Sequence, residues 1–240
     1  MSEEHRRQRR YEPAERARCK RNRWTRAQMR IGVLALHGAV IEHIRTLAAI
    51  GVEPVTVRLP EDLEGLSGLI LPGGESTTMR KLVARWSLRE PVMAFARSGA
   101  PILGTCAGMI VVAKEIAGGE EPVFPLLDVT VARNAFGRQL DSFETDLPMP
   151  ILGDKPVRAI FIRAPIIERV GPGVEVLARL PDDRVVAVRQ RNVIAISFHP
   201  ELAGETRIHR LIATMAAAYA EPGEGAATGG AEPWSLGEVR

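Results

Sequence analysis

From residue 31 onward, short apolar runs alternate with segments whose apolar positions recur every three or four residues. This is the pattern of parallel strands buried on both faces and joined by amphipathic helices. Ile31-Gly32-Val33-Leu34-Ala35-Leu36 is the first run; His37-Gly38 turns the chain, and Val40, Ile41, Ile44, Leu47 and Ala48 follow at helical spacing up to Gly51, a helix stop. Val55-Thr56-Val57 and Gly68-Leu69-Ile70-Leu71 predict two more strands. The third strand enters Pro72-Gly73-Gly74-Glu75-Ser76-Thr77-Thr78-Met79, a glycine turn opening a helix that continues through Leu82, Val83 and Trp86. A helix around Val92 to Ala96 then leads to Pro101-Ile102-Leu103-Gly104, and after a tight turn Ile110 to Ile116 reads as another helix.

Beyond residue 117 the elements shorten. Val129 to Arg133, Phe143 to Leu147, Val157 to Ile162, Val174 to Leu180, Arg184 to Gln190 and Val193 to Phe198 have strand character, several as antiparallel additions, and Thr206 to Tyr219 reads as a terminal helix. The predicted fold is α/β: a doubly wound, mainly parallel sheet flanked by helices, with added antiparallel strands. The expected organisation is a basic, disordered extension over 1–28, one domain over 29–220 and a disordered tail over 221–240, rich in Gly, Ala and Glu.

Charge sharpens this division. Of the net +3, residues 1–30 carry +7, from eleven Arg and Lys against four Glu, which leaves −4 to residues 31–240. The basic arm is open to three readings: a nucleic-acid or membrane-surface arm, a solvated extension too poor in apolar residues to fold, or sequence upstream of a true start at Met29. Two cysteines, Cys19 and Cys106, in unlike surroundings argue against a disulfide framework and for a reducing compartment. With no apolar stretch of membrane-spanning length and no secretory signal, a cytoplasmic protein is expected, without membrane contact. No internal repeat, phosphate-binding P-loop or metal-ligand cluster is found, so neither a metal nor a cofactor is called for.

The chemistry concentrates at Gly104-Thr105-Cys106-Ala107-Gly108. A strand-to-helix turn with glycines two residues on either side of a nucleophile fits the nucleophile elbow, with cysteine in place of serine. Such a cysteine is expected to stand exposed at a helix N-terminus, where unpaired N–H groups and the helix dipole favour thiolate over thiol. A lone cysteine is more often inert packing, but Val193 to Phe198 runs into His199-Pro200-Glu201 and supplies both a base and a carboxylate to orient it. The loop from Pro72 to Thr78 falls at the same carboxyl edge of the sheet, where ligands of doubly wound folds bind. Backbone N–H groups at Gly73 and Gly74 are placed to meet that of Ala107 around an oxyanion. Arg133 and Arg163 stand at strand ends, positions suited to a substrate carboxylate.

The elbow with His199-Pro200-Glu201 resembles the triad class (class I) of glutamine amidotransferases, whose fold is flavodoxin-like. Leu71-Pro72-Gly73-Gly74-Glu75-Ser76-Thr77-Thr78-Met79, Arg133-Asn134-Ala135-Phe136-Gly137-Arg138-Gln139, Phe161-Ile162-Arg163-Ala164-Pro165 and Ser197-Phe198-His199-Pro200-Glu201-Leu202 resemble one branch of it, the PdxT (SNO) family of glutaminase subunits of pyridoxal 5'-phosphate synthase. The resemblance spans residues 29 to about 220 and implies a glutaminase that releases ammonia from L-glutamine. It implies Cys106 as nucleophile, His199 as proton shuttle and Glu201 as orienter. Gly74, Glu75, Ser76, Arg133, Ile162 and Arg163 would line the glutamine pocket, and the amides of Gly74 and Ala107 the oxyanion hole. It also implies docking on a (β/α)8 synthase subunit of PdxS/SNZ type, with twelve of each chain. That partner makes pyridoxal 5'-phosphate (vitamin B6) from ribose 5-phosphate and glyceraldehyde 3-phosphate. The family carries Gln where this chain has His37, in a turn that bears on activation by the synthase.

Two other functions stay open at this stage: a glutaminase subunit serving histidine or nucleotide biosynthesis, and a silent relative or nucleic-acid binder using the basic arm. The intact Cys, His and Glu set argues against silence, and the negative charge of residues 31–240 argues against nucleic acid.

Overall fold

The computed structural model describes residues 29–133 and 142–220. Strands β1 (Arg30–Leu34), β2 (Glu53–Val57), β3 (Gly68–Leu71) and β4 (Ile102–Thr105) alternate with helices α1 (Val40–Ala49), α2 (Ser76–Arg85) and α3 (Arg89–Arg97). Helix α4 (Ala107–Val112) follows, then β5 (Ala113–Ile116), β6 (Leu127–Ala132), β7 (Ser142–Leu147), β8 (Val157–Ile162), β9 (Ile166–Val170), β10 (Glu175–Arg179), β11 (Val185–Gln190), β12 (Val193–Ile196) and the terminal helix α5 (Arg207–Ala220). The sheet runs β2-β1-β3-β4-β12-β11-β9-β6-β5, with β10 paired to β11, while β7 and β8 form a separate antiparallel pair. The first five strands in that order are parallel; β11 opens an antiparallel extension.

Both faces of the parallel core are covered, which is why β3 and β4 are buried at every position. Leu69 and Leu71 face the cluster containing Met79, Val83 and Val92 of α2 and α3. Ile70, pointing the other way, joins Leu47 of α1 and Ile208 and Ile212 of α5. Among the described residues no helix is long and apolar enough to cross a membrane.

Three local expectations are corrected. The predicted helix over Ile110 to Ile116 ends at Val112: Ala113 turns to ψ 143° and residues 113–116 become β5, because parallel pairing with β6 satisfies their backbone better than another helical turn. Strand β9, not anticipated at all, joins β6 to β11. Helix α1 is rotated from its apolar stripe: Ile41 is 51% exposed and Ala48 lies outside, while His43, Thr46 and Leu47 face inward.

Candidate active site

Thr105 ends β4, and Cys106 then takes φ 49° and ψ −106°, a left-handed conformation that side chains adopt only when the surroundings force it. The glycines on either side have steric causes. A Cβ on Gly108 would stand 2.0 Å from the carbonyl oxygen of Leu71, and one on Gly104 would stand 2.6 Å from that of Gly108. The turn is therefore pressed against β3 with no room for a methyl group. The amide of Cys106 donates to Ile196 O at 2.8 Å, clamping the elbow to β12.

That clamp sets the site, because Thr105 and Ile196 are register partners and both strands run in the same direction. One residue beyond β4 lies the thiol; three beyond β12 lies His199, whose amide donates to Ile160 O at 2.8 Å. The His199 Nδ1 and Glu201 Oε1 atoms are 2.7 Å apart, both residues buried. Burial alone would lower the His199 pKa, but hydrogen bonds and charge from Cys106 and Glu201 outweigh it and raise the ring to about 10. Cys106 itself is only 6% exposed, against the expectation of an open thiol; its Sγ lies 3.8 Å from Ile162 O. Ile162, the last residue of β8, lies against it.

Gly73 packs on the imidazole so closely that a Cβ there would fall 2.3 Å from His199 Cε1. Gly74 borders His37 and Gly38, and the amide of Glu75 donates to His37 Nδ1 at 3.3 Å, so position 37 supports the loop with an acceptor. The Glu75 carboxylate caps α2, accepting from the amides of Thr77 and Thr78 at 2.9 and 2.6 Å and from Thr78 Oγ1 at 2.7 Å. Those bonds, the Thr78 hydroxyl foremost, hold its pKa down to about 2. Ser76 is buried in the first turn of α2.

Arg133 reaches the same helix end, donating to Thr77 Oγ1 at 3.3 Å and to Glu120 Oε2 at 2.6 Å, an oxygen that also accepts from Arg80 at 2.9 Å. The rest of its motif, Asn134 to Gln139, lies outside the described residues. Ile162 is half-buried beside the thiol, and Arg163, exposed with φ 43°, follows it. Thus Cys106, His199, Glu201 and Ile162 converge, with the Gly73-Gly74 turn against the imidazole; Glu75 and Arg133 sit one helix end away.

Sequence reasoning missed what stands behind Glu201. His43 Nε2 lies 3.5 Å from Glu201 Oε1 and 3.2 Å from Thr105 Oγ1, and its Nδ1 lies 2.9 Å from His209 Nε2. Neither His43 nor His209 has any exposed surface. The only signal was a histidine one position off the apolar stripe of α1, which by pattern alone belongs to the polar side.

Comparison with known proteins agrees with this architecture. A model of the SNO glutamine amidotransferase family matches residues 33–217. The chain is 55% identical over 182 residues to the pyridoxal 5'-phosphate synthase subunit PdxT of Pelotomaculum thermopropionicum, covering 76% of this chain and 92% of that one. It is also 55% identical over 186 residues to the PdxT of Herpetosiphon aurantiacus, covering 76% and 98%. A crystal structure of a glutamine amidotransferase superposes with a TM-score of 0.74 at 49% identity, over 78% of this chain and 98% of that chain. PurLQS of Thermotoga maritima, at 19% identity and a TM-score of 0.63, shares the fold alone.

Proposed function

The chain belongs to the SNO glutamine amidotransferase family, and on that premise we propose that Cys106, His199 and Glu201 hydrolyse L-glutamine to L-glutamate and ammonia. The chain is the glutaminase subunit of pyridoxal 5'-phosphate synthase and works with a synthase subunit. The observation that carries the site assignment is the exit of thiol and imidazole from neighbouring parallel strands, with a carboxylate oxygen 2.7 Å from the imidazole.

The chemistry follows from that placement. His199, raised to about 10, holds a proton that the Cys106 sulfur can give up, so attack on the carboxamide carbon starts from the sulfur's electron pair. The carbonyl oxygen becomes an oxyanion between the amides of Gly74 and Ala107. His199 then passes its proton to the departing nitrogen; the C–N bond breaks, ammonia leaves, and a glutamyl thioester remains on Cys106. Water, losing a proton to His199, attacks the thioester; glutamate is released and the sulfur is restored. Glu201 holds the Nδ1 proton in place and balances the imidazolium throughout. Gly74, Glu75, Ser76, Arg133, Ile162 and Arg163 form the glutamine pocket, with Arg133 exchanging its ion pair with Glu120 for the substrate carboxylate.

The partner in this reading is a (β/α)8 synthase, twelve copies with twelve of this chain. It receives the ammonia internally and builds the cofactor from ribose 5-phosphate and glyceraldehyde 3-phosphate. His37 supports the loop that the partner must set for catalysis. Histidine and nucleotide biosynthesis, the other acceptors considered, find no support among these relatives.

The test is glutamate release from glutamine, with and without the cognate synthase. The wild type is expected to be stimulated by the partner, and Cys106→Ala to lose activity by roughly 10³-fold or more. Persistence of activity in Cys106→Ala would remove the thiol from the mechanism.

A further inference from the structure

The triad rests on a second, fully buried pair of imidazoles. His43 comes from the middle of α1 and His209 from the first turn of α5, so two helices far apart in sequence meet behind the site. His199 Nδ1 and His43 Nε2 both approach the same Glu201 oxygen, Oε1, at 2.7 and 3.5 Å. The other oxygen, Oε2, is buried and makes no hydrogen bond among the described residues. A buried carboxylate with one oxygen unpaired is costly unless its remaining donors hold it firmly.

One proton lies between His43 Nδ1 and His209 Nε2, 2.9 Å apart. Were it on His43 Nδ1, the Nε2 lone pair would face a carboxylate oxygen, which is repulsive. Placed on His209 Nε2, it leaves the His43 proton on Nε2, between Thr105 Oγ1 and Glu201 Oε1. The backbone carbonyl of Glu205 is the acceptor beside the remaining His209 nitrogen, but among the described residues Nδ1 makes no hydrogen bond of full geometry, so the Glu201 carboxylate on the His43 side decides the tautomer. Both rings stay neutral: burial, first of all, holds His43 well below the ordinary value for histidine and His209 at about 4. The titratable groups facing His43 are His209 on α5, with Glu205 behind it, and Glu201 and His199 beyond β12; Thr105 on β4 is the uncharged neighbour.

We propose that His43, its tautomer set by His209, is a positioning residue that fixes the Glu201 carboxylate toward His199 through an Nε2–H that faces Oε1 across 3.5 Å, beside Thr105 Oγ1. This rests on the reading of Cys106, His199 and Glu201 as the catalytic set. A catalytic imidazole needs its carboxylate in one orientation, and here that orientation is enforced from the buried face of α1. Losing the donor lets the carboxylate turn, and the imidazolium then loses part of the partner that stabilises it.

The test uses the chain in complex with its synthase, with His43→Leu, His43→Gln and His209→Leu. His43→Leu is expected to lower kcat roughly 10- to 100-fold, the range for residues that orient a catalytic group, with KM little changed. The alkaline limb of its pH profile moves to lower pH, because His199 is less strongly held protonated. His43→Gln, whose amide can donate from a similar place, recovers much of both, and His209→Leu behaves as a milder His43→Leu. Nitrogen NMR of the wild type reads the tautomer directly and is expected to show the proton on His43 Nε2. A folded His43→Leu with wild-type kcat and pH profile overturns the proposal, as does a proton found on His43 Nδ1. If His43→Leu does not fold, the nitrogen spectrum and the His43→Gln profile decide. Should Cys106→Ala keep activity, it is the catalytic assignment that fails; should Cys106→Ala be dead while the His43 variants are normal, only this inference fails.

Discussion

The carboxylate of Glu201 has more demands on it than its place two residues after a histidine suggests. It lies 2.7 Å from the imidazole proposed to do the chemistry and faces another, proposed to hold it, at 3.5 Å. Replacing it with an amide, Glu201→Gln, keeps the shape but removes the charge that helps raise His199 to about 10. A fall in kcat/KM of roughly 10³ is expected from loss of the orienting anion, with the alkaline limb moving to lower pH, measured as initial rates of glutamate release across pH. The linkage to folding has a definite sign. Because His199 is raised above its ordinary 6.5, its contribution to stability is complete below that pH and is lost as pH climbs through about 10, a loss that thermal melts in alkaline buffers should follow. At this scale the sequence was readable where chemistry imposes a local string: Cys106 between two glycines, and His199 with Glu201 two residues on. It was mute about His43 and His209, 166 residues apart, because nothing local distinguishes a histidine buried by another histidine from one facing water.

Elements were legible wherever a single periodicity decided the outcome. The runs that became β1, β3 and β4 are buried on both faces, so their composition alone sufficed, while β2, at the sheet edge, fully buries only Val57. Where a segment's fate hung on a distant partner, pattern misled: residues 113–116 continue an apolar stretch of helical character, yet β6 is beside them and pairing prevails. Helix α1 misled in the opposite sense, since hydrogen bonding to His209 and Thr105 turned a polar side chain inward at the expense of Ile41. The joint between β3 and α4 is a tight contact, and it yields a clear expectation. Gly108→Ala drives a methyl group into the Leu71 carbonyl, 2.0 Å away, and should cost about 1–3 kcal/mol of stability through forced backbone displacement, read from chemical denaturation. A variant of unchanged stability would mean that the elbow has slack that its geometry denies.

For the whole molecule, the described residues within 29–220 hold both apolar clusters and every proposed site residue, and the family match falls inside the same bounds. We propose that this span is the functional unit. A chain trimmed to residues 29–220 is expected to melt at the same temperature as the full chain and to release glutamate at the same partner-stimulated rate. Slower turnover only in the presence of the synthase would give one of the trimmed segments a docking role. The doubly wound plan was readable from alternating runs, whereas the antiparallel extension was readable only as a set of strands, since their order depends on pairings the alternation does not encode.

The position of β12 has a consequence for how the enzyme comes into being. Among the described residues it is the last strand to be synthesised, yet it belongs in the middle of the sheet, in the slot between β4 and β11. A chain emerging from the ribosome can fold its amino-terminal strands and helices early, but His199, the proton carrier proposed for Cys106, is not brought beside the elbow until that slot is filled. Chains in which β12 has not yet docked are therefore expected to release no glutamate from glutamine, which truncation before residue 193 would check.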